Sequence, residues 1–262
     1  MPFLDVLYSN EFWLFLGVGF LAQLIDGALG MAYGVVCIAV LSASGIPAAQ
    51  ASAVVHAAEV FTTGAAGASH AAHKNVDWRL LSRLAPAGVL GGVLGAYVVT
   101  EVRPEIVGPL VSLYLSAMGV LLLARAFRAV RPARDINVNL ALPLGAAGGF
   151  LDAWGGGWGP VVASTLLGGG HAPRKVVGTV SVAEFFVACA ISAAFVVAML
   201  TGTLPLDIGT YGTEVAGLIV GGLAAAPLAG FVARLAPPRY LMTGVGLLVL
   251  SLAAWQLVRS FS

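Results

Sequence analysis

Charged side chains are scarce in this sequence: aspartate, glutamate, lysine and arginine together make up 10% of the 262 residues. The net charge is only +1, and the chain has neither a basic tail nor an RNA-binding motif, which excludes nucleic acid as a predicted partner. Cysteine is also rare. Cys37 and Cys189 both lie in apolar segments, where packing roles are favoured over a disulfide or a metal site.

Apolar residues dominate instead, at 59% of the chain, with a mean hydropathy of +0.96. A soluble core cannot bury that much apolar surface, so we predict an all-α polytopic membrane protein. The first apolar stretch lacks a basic n-region and is expected to belong to the membrane domain rather than to a cleaved signal. The apolar segments run over residues 12–44, 48–72, 80–100, 106–127, 140–170, 176–200, 212–233 and 240–258.

The two halves of the sequence resemble each other. "AEVF" at Ala58–Phe61 recurs as "AEFF" at Ala183–Phe186, and several other landmarks follow in the same order. Such ordered similarity predicts an internal duplication. We therefore divide the chain into a first repeat at 1–128, a basic cytoplasmic linker at 129–139 and a second repeat at 140–262.

The first segment of each repeat is too long for one crossing. Residues 12–44 as a single helix would measure about 50 Å, against a hydrocarbon core of about 30 Å. Each long segment carries a helix-breaking motif near its middle, "DGALG" in one and "GGGWGP" in the other. Two geometries remain open: a broken single crossing, or a re-entrant hairpin that returns to its own side.

The distribution of basic residues favours hairpins, because lysine and arginine concentrate on the cytoplasmic side. With two hairpins, all thirteen lysines and arginines except Arg103 and Arg259 share one side. Each repeat then makes three crossings, so the repeats are inverted relative to each other. This topology places both termini in the periplasm of a bacterial inner membrane, and inverted repeats with broken helices are typical of transporters.

The glycine-rich tips of the two hairpins are expected to meet near the midplane. Irregular backbone at that depth must be buried in protein or line a cavity. Helix N-termini at the tips would offer free N–H groups to an anion; the alternative is that the glycines only allow close helix packing. The candidate substrate-binding residues are Gln23, Asp26, Gly27, Gly30, Tyr33, Asp152, Trp154, Gly156, Gly157, Trp158 and Ser181.

Four acidic residues lie deep in the predicted membrane domain: Asp26, Glu59, Asp152 and Glu184. Burial disfavours a charged carboxylate, so Glu59 and Glu184 could carry a proton or donate a hydrogen bond to an anion. Equally, each acid could accept hydrogen bonds from backbone N–H groups and support a tip. His56 lies one helical turn before Glu59 and could relay a proton, bind a metal or be a hydrogen-bonded core residue.

The tryptophans of the second tip could line a pocket or pack against neighbouring helices. His70 and His73 repeat the three-residue spacing, but two histidines are a weak metal signal, so we predict no metal site and no cofactor. Ser52 lies one turn from His56, yet no serine stands in a nucleophile-elbow motif, and we predict that the protein is not an enzyme.

Four motifs in order, "AQLIDGALGMAYG", "HAAEVFTTGAAGASH", "GGFLDAWGGGWGPVVASTLL" and "SVAEFFV", resemble the TauE/SafE family of sulfite and organosulfonate exporters over nearly the whole chain. The resemblance implies a bacterial inner-membrane carrier for small sulfur-containing anions such as sulfite, sulfoacetate, sulfolactate or thiosulfate. It also implies that the two glycine-rich motifs and the segments of Glu59 and Glu184 surround the transport path. Many family members carry a glycine triplet in both halves, whereas the first copy here reads "DGALG", so the site is expected to be asymmetric.

The sequence thus predicts a secondary transporter, with export favoured, that holds a small anion at the two tips. Proton coupling through His56, Glu59 or Glu184 is one option. The alternative is a cation or transition-metal carrier that uses the buried acids and His56. Besides the anionic substrate the expected partner is membrane lipid, and a homodimer is a possible assembly. The exact substrate, the direction, the coupling ion and the distinction between carrier and channel stay open.

Overall fold

The computed structural model describes residues 9–127, 138–169, 171–206 and 208–260, and this part of the chain is all-helical, without a β-strand. The fold class of an all-α polytopic membrane protein is confirmed. Most of the predicted linker at 129–139 lies outside the described residues, and so do Arg128, Arg131 and Arg134.

The helices follow one another in the same order in both halves. The first half consists of α1 (Asn10–Leu29), α2 (Tyr33–Ala43), α3 (Ala48–Ala72), α4 (Trp78–Glu101) and α5 (Pro104–Ala126). The second half consists of a 3₁₀ turn (Val138–Leu140), α6 (Ala141–Gly155), a π-helical turn (Gly159–Ala163), α7 (Ser164–Gly168), α8 (Pro173–Leu200), α9 (Ile208–Leu235) and α10 (Pro238–Ser260).

Several long helices begin a few residues before the boundaries drawn from hydropathy. The segments expected at 80–100, 106–127, 176–200 and 240–258 start at Trp78, Pro104, Pro173 and Pro238. The difference has a physical cause, because helices begin at capping residues and at prolines that are not themselves strongly apolar. In α4, for example, the Asp77 side chain accepts hydrogen bonds from the first-turn N–H groups.

Within the described ranges, six helices are long and apolar enough to cross a membrane: α1, α4, α5, α8, α9 and α10. Helix α3 is absent from this group although it has 25 residues, which is a spanning length of about 37 Å. Its sequence is rich in alanine, serine, threonine and histidine, and many of its polar residues are buried inside the protein. The part of helix α3 up to Glu59 is therefore a polar, largely buried element at the centre of the protein, whereas Phe61 in its second half is exposed.

The first helix of each half packs against the other half. Helix α1 runs parallel to α9: a methyl group at Gly217 would lie 2.8 Å from the carbonyl oxygen of Phe12, and one at Gly19 would lie 2.6 Å from that of Leu218. Helix α6 runs parallel to α4 in the same way, with Gly145 against the carbonyl of Leu84. This crosswise pairing joins the two halves into one bundle, and its small residues permit the close approach.

Corresponding helices of the two halves run in opposite directions. In the pair α3 and α8, Gly67 lies beside Val182, whereas the ring of His56, nearer the start of α3, lies 6.3 Å from that of Phe195, nearer the end of α8. In the pair α5 and α10, the Ser112 hydroxyl donates to the Gln256 side chain at 3.0 Å, whereas Gly119, later in α5, lies beside Gly246, earlier in α10. Antiparallel equivalents are what an inverted repeat produces.

The second long segment is a re-entrant hairpin. Helix α6 and the returning chain run antiparallel, so that Gly148 contacts Val162 and Gly157 contacts Leu151. After the return, the carbonyl of Ser164 accepts from the guanidinium of Arg125 at the end of α5. The hairpin therefore begins and ends on the face of the protein where α5 ends, which we call the linker face.

The first long segment is a hairpin from the opposite face. Helix α1 starts beside the beginning of α9, where Phe12 meets Gly217. After α2 the chain enters α3, and the Gln50 side chain near its start donates to the carbonyl of Pro205 at 2.7 Å, in the connection that precedes α9. The structure thus decides between the two geometries left open by the sequence. Although α1 is long enough to cross, the chain turns back after Leu29, so α1 is the entering arm of a hairpin rather than a complete crossing.

Candidate functional site

The tip of the first hairpin is built around one aspartate. Helix α1 ends at Gly30, which adopts φ +70°, a left-handed conformation that suits glycine, and its N–H donates to the carbonyl of Asp26. The Asp26 carboxylate then accepts from the N–H of Tyr33, the first residue of α2, at 3.3 Å. The Tyr33 hydroxyl donates to the carbonyl of Leu218 in α9 at 3.2 Å. Asp26 thus holds the turn, while Tyr33 anchors it to the other half.

The tip of the second hairpin repeats this arrangement. Gly156 ends α6 with φ +71°, and its N–H donates to the carbonyl of Asp152 at 2.8 Å. The Asp152 Oδ1 atom accepts from the N–H of Trp158 at 2.9 Å. In each hairpin the aspartate lies four residues before a left-handed glycine, and it accepts the first N–H of the returning arm. The returning arms begin at Tyr33 and beside Trp158.

The two tips touch each other. A methyl group at Gly34 would lie 2.7 Å from the Cα of Gly156 and 2.9 Å from Oε1 of Glu59, and one at Gly159 would lie 2.6 Å from the Cα of Met31. Only glycine leaves room for a contact of this kind between two backbones. The contact brings the two halves together at a point surrounded by buried polar side chains.

Three side chains converge directly beside this contact: His56, Glu59 and Asp152. The Nε2 atom of His56 lies 3.4 Å from Oδ2 of Asp152 and 3.7 Å from Oε2 of Glu59. All three side chains are buried, with exposed fractions of 1% or less. Their ligand atoms lie within 4.8 Å of one another and could hold a metal ion. The cluster joins α3 of the first half to the hairpin of the second.

A serine fixes the orientation of the histidine. The Nδ1 atom of His56 lies 2.8 Å from the carbonyl oxygen of Ser52, one turn earlier in α3. Since a carbonyl can only accept, Nδ1 carries the proton and donates it. The Ser52 hydroxyl in turn donates to the carbonyl of Ala153 in α6 at 2.6 Å. The Nε2 atom therefore points at the two carboxylates in a fixed direction.

The second half has a related but different set. Ser181 and Glu184 occupy in α8 the places that His56 and Glu59 occupy in α3, and both are largely buried. The negative charges of Asp26, Glu59 and Asp152 repel that of Glu184, so the buried acids of the two halves influence one another electrostatically. A serine in place of the histidine makes the two halves chemically unequal.

The remaining predicted site residues divide between the interior and the edge of the tips. Gln23 is buried in α1, whereas Gly27 is exposed. Gly157 packs against the Tyr114 hydroxyl of α5. Trp154 is half-buried and stacks on Phe150 with 6.0 Å between the ring centroids.

Trp158 packs between helices. Its indole lies against Gly88 of α4, and the indole N–H donates to the carbonyl of Val180 in α8 at 3.2 Å. His70 and His73, at the far end of α3, do not belong to the central cluster. Nδ1 of His73 lies 2.8 Å from the carbonyl oxygen of Ser69 in its own helix.

Sequence reasoning missed three residues of this region: Gly34, Gly159 and Tyr114. Gly34 and Gly159 make the contact between the tips, and Tyr114 lies against the second tip. Gly34 stands just after the first break and Gly159 stands inside the second, and their place in or beside the duplicated breaks is a signal that could have identified them. Tyr114 carries no such signal, because its contact joins distant segments.

The fold defines a class: a multi-pass membrane protein made of two antiparallel halves, each with a broken hairpin whose tip reaches a buried polar centre. The family model described as "Sulfite exporter TauE/SafE" matches residues 15–257. The chain belongs to the TauE/SafE family of membrane transporters, and it is not an enzyme.

A curated relative points in the same direction. The "Probable membrane transporter protein YtnM" of Bacillus subtilis (strain 168) is 38% identical over 261 residues, which cover 95% of this chain and 83% of the relative. No solved structure matches the chain.

Proposed function

We propose that this protein is a secondary carrier, working as an exporter, for small sulfur-containing anions such as sulfite, sulfoacetate or another organosulfonate. The family described as sulfite exporters supports the substrate class. The excess of basic residues on the linker face, among them Lys74, Arg125 and Lys175, supports a cytoplasmic position for that face and a periplasmic position for both termini in a bacterial inner membrane.

The contact between the two tips carries the proposal. Each tip belongs to one inverted half, and they meet at Gly34 and Gly156 without intervening side chains. A substrate bound beside this contact touches both halves at once, so a rocking motion of one half against the other would move access from one face to the other.

Helix α2 supplies the donors for an anion. The first N–H groups of a helix have no intrahelical partner. At the start of α2 the N–H of Tyr33 is taken by Asp26, which leaves those of Gly34 and Val35 as the candidate donors, together with the positive end of the helix dipole. In the second hairpin the backbone N–H of Trp158 already donates to Asp152, and Pro160 has no N–H to offer. The first tip is therefore the stronger half of the proposed anion site.

Four neighbouring carboxylates would repel an anion unless cations neutralise some of them. Protons bound by Glu184 or by the cluster of His56, Glu59 and Asp152 would reduce that repulsion, which supports coupling of anion transport to protons. The coupling gives the buried acids a role: they make anion binding depend on a co-bound cation.

A cation carrier is the second candidate, and the convergence of His56, Glu59 and Asp152 is the observation that favours it. In that case a transition-metal ion would be the cargo and the tips would only shape the path.

Binding and transport by purified protein test the proposal. We expect calorimetry to detect sulfite, thiosulfate or sulfoacetate and proteoliposomes to move the bound anion, with acetate as the comparison. Gly157→Val, which forces a side chain against Tyr114 and displaces the second tip, should abolish both. Gly108→Val is the matched control, because a methyl group there meets nothing within 4 Å. If no sulfur-containing anion binds or moves, the proposed substrate class is wrong; metal transport in the same vesicles would establish the second candidate.

A further inference from the structure

We propose that His56, Glu59 and Asp152 form a resident binding site for one divalent transition-metal ion of the zinc, cobalt or nickel type. The ion would bridge α3 of the first half to the second hairpin. This site does not depend on the identity of the transported substrate. A resident ion stays with the protein during transport, which separates this proposal from a metal as cargo.

The spacing of the ligand atoms fits such an ion. Metal–ligand bonds of about 2.1 Å place neighbouring ligand atoms about 3.4 Å apart in a tetrahedral site. The His56 Nε2 and Asp152 Oδ2 atoms are 3.4 Å apart, and Nε2 and Glu59 Oε2 are 3.7 Å apart. All three ligand atoms lie within 4.8 Å of one another, so small side-chain movements are enough to bring both carboxylates to one ion.

One ligand atom has no other partner. Glu59 is 1% exposed, and its Oε2 atom is buried without a hydrogen-bond partner. A buried carboxylate oxygen of this kind is costly, because it has lost its hydrogen bonds to water and makes none within the protein. It faces His56 Nε2, and a cation between the two would satisfy both atoms.

The surrounding groups hold the ligands as they do in known metal sites. A metal-binding histidine usually donates its other ring N–H to a carbonyl or a carboxylate. Nδ1 of His56 does so, to the carbonyl of Ser52 at 2.8 Å. Asp152 divides its two oxygens in a similar way: Oδ1 accepts from the N–H of Trp158, whereas Oδ2 faces His56 Nε2 at 3.4 Å, and an ion would lie between these two atoms. Both ligands are therefore oriented before an ion arrives.

The charge of the cluster also fits. Two ionised carboxylates and a neutral imidazole carry two negative charges, which one divalent cation neutralises. Within the part of the chain that the structure describes, the basic side chain beside these carboxylates is His56 alone, and no lysine or arginine pairs with them. A site of two carboxylates and one imidazole suits zinc and the neighbouring transition metals. The second half offers no equivalent, because Ser181 stands where His56 would be.

The test is metal binding by purified protein that has been stripped with a chelator. We expect calorimetry to find one equivalent of Zn²⁺, Co²⁺ to develop the d–d absorption of a tetrahedral complex, and Zn²⁺ to raise the melting temperature. His56→Ala should weaken binding by at least the 10–100-fold that loss of an outer-shell partner causes. His70→Ala, in the same helix but outside the cluster, should bind normally.

A second variant distinguishes the loss of a metal ligand from misfolding. Glu59→Gln keeps the shape of the side chain and removes one charge, so it should fold and still lose the Co²⁺ signal. The proposal would be overturned if the protein bound neither Zn²⁺ nor Co²⁺, or if both cluster variants bound these ions as tightly as the unaltered protein does. Stabilisation by acid with no effect of metal would assign the cluster to protons instead, and Zn²⁺ uptake into proteoliposomes would make the ion cargo.

The calorimetry also separates this proposal from the proposed function. Metal binding without any sulfur-anion binding would leave the metal site standing and remove the substrate class. Anion binding to stripped protein with no metal affinity would do the reverse.

Discussion

Replacing Gly156 with alanine tests whether the contact between the two tips holds the halves together. Gly156 has φ +71°, and a methyl group on it would run into the backbone of Gly34 and Val35. A residue with a side chain in the left-handed conformation costs about 1–2 kcal/mol, and forcing a methyl group into a packed site costs about 1–3 kcal/mol more. We therefore expect the free energy of unfolding to fall by about 2–5 kcal/mol.

Gly202→Ala separates the two contributions. Gly202 has φ +77° in the turn after α8, and nothing lies within 4 Å of a methyl group there. This control should therefore show only the conformational cost of about 1–2 kcal/mol. The assay is thermal unfolding of both variants in the same detergent, followed by anion transport in proteoliposomes. Gly156→Ala should melt clearly lower and transport less. If it melts at or above the temperature of Gly202→Ala, the tips do not touch as described and the reasoning fails.

Two further predictions use single residues. In α1, Gly19→Ala should destabilise by about 1–3 kcal/mol because the methyl group meets the Leu218 carbonyl at 2.6 Å, whereas Gly17→Ala, which meets nothing within 4 Å, should stabilise by about 0.5–1 kcal/mol; the melting temperatures of the pair check this, and equal shifts would contradict the crosswise packing. Glu184→Gln should leave the melting temperature nearly unchanged and flatten the dependence of transport on pH if Glu184 carries a proton. A strong loss of stability would instead assign Glu184 to supporting the tip.

Much of the architecture was predictable because duplication leaves a trace in the sequence. The paired "AEVF" and "AEFF" motifs placed Glu59 and Glu184 in equivalent helices, and the two glycine-rich breaks marked both tips. Segment length left broken crossings and hairpins open, and the distribution of lysine and arginine favoured hairpins; the contacts of Gly148 with Val162 and of Phe12 with Gly217 now establish them. These features follow from composition and periodicity, which a single sequence displays.

The arrangement of the site was not predictable in the same way. Asp152 meets His56 across 96 positions of sequence, and the Ser52 hydroxyl reaches Ala153 across 101. No local pattern reports such contacts, since they depend on how whole helices pack. A contact between two glycines, such as that of Gly34 with Gly156, is harder still to foresee, because neither residue has a side chain whose chemistry could announce a partner.

The crosswise pairing of α1 with α9 has a consequence for synthesis. Helix α1 ends at Leu29 and its partner begins at Ile208, so the ribosome needs on the order of ten to forty seconds to make the partner after α1 is complete. During that interval the glycines of α1 lie against lipid or a chaperone instead of α9. Helix α6 meets no such delay, because α4 is already in the membrane when α6 is made. The N-terminal hairpin therefore docks late, only after α9 has been made, and a nascent chain released before α9 would carry an unpaired first helix for quality control to recognise.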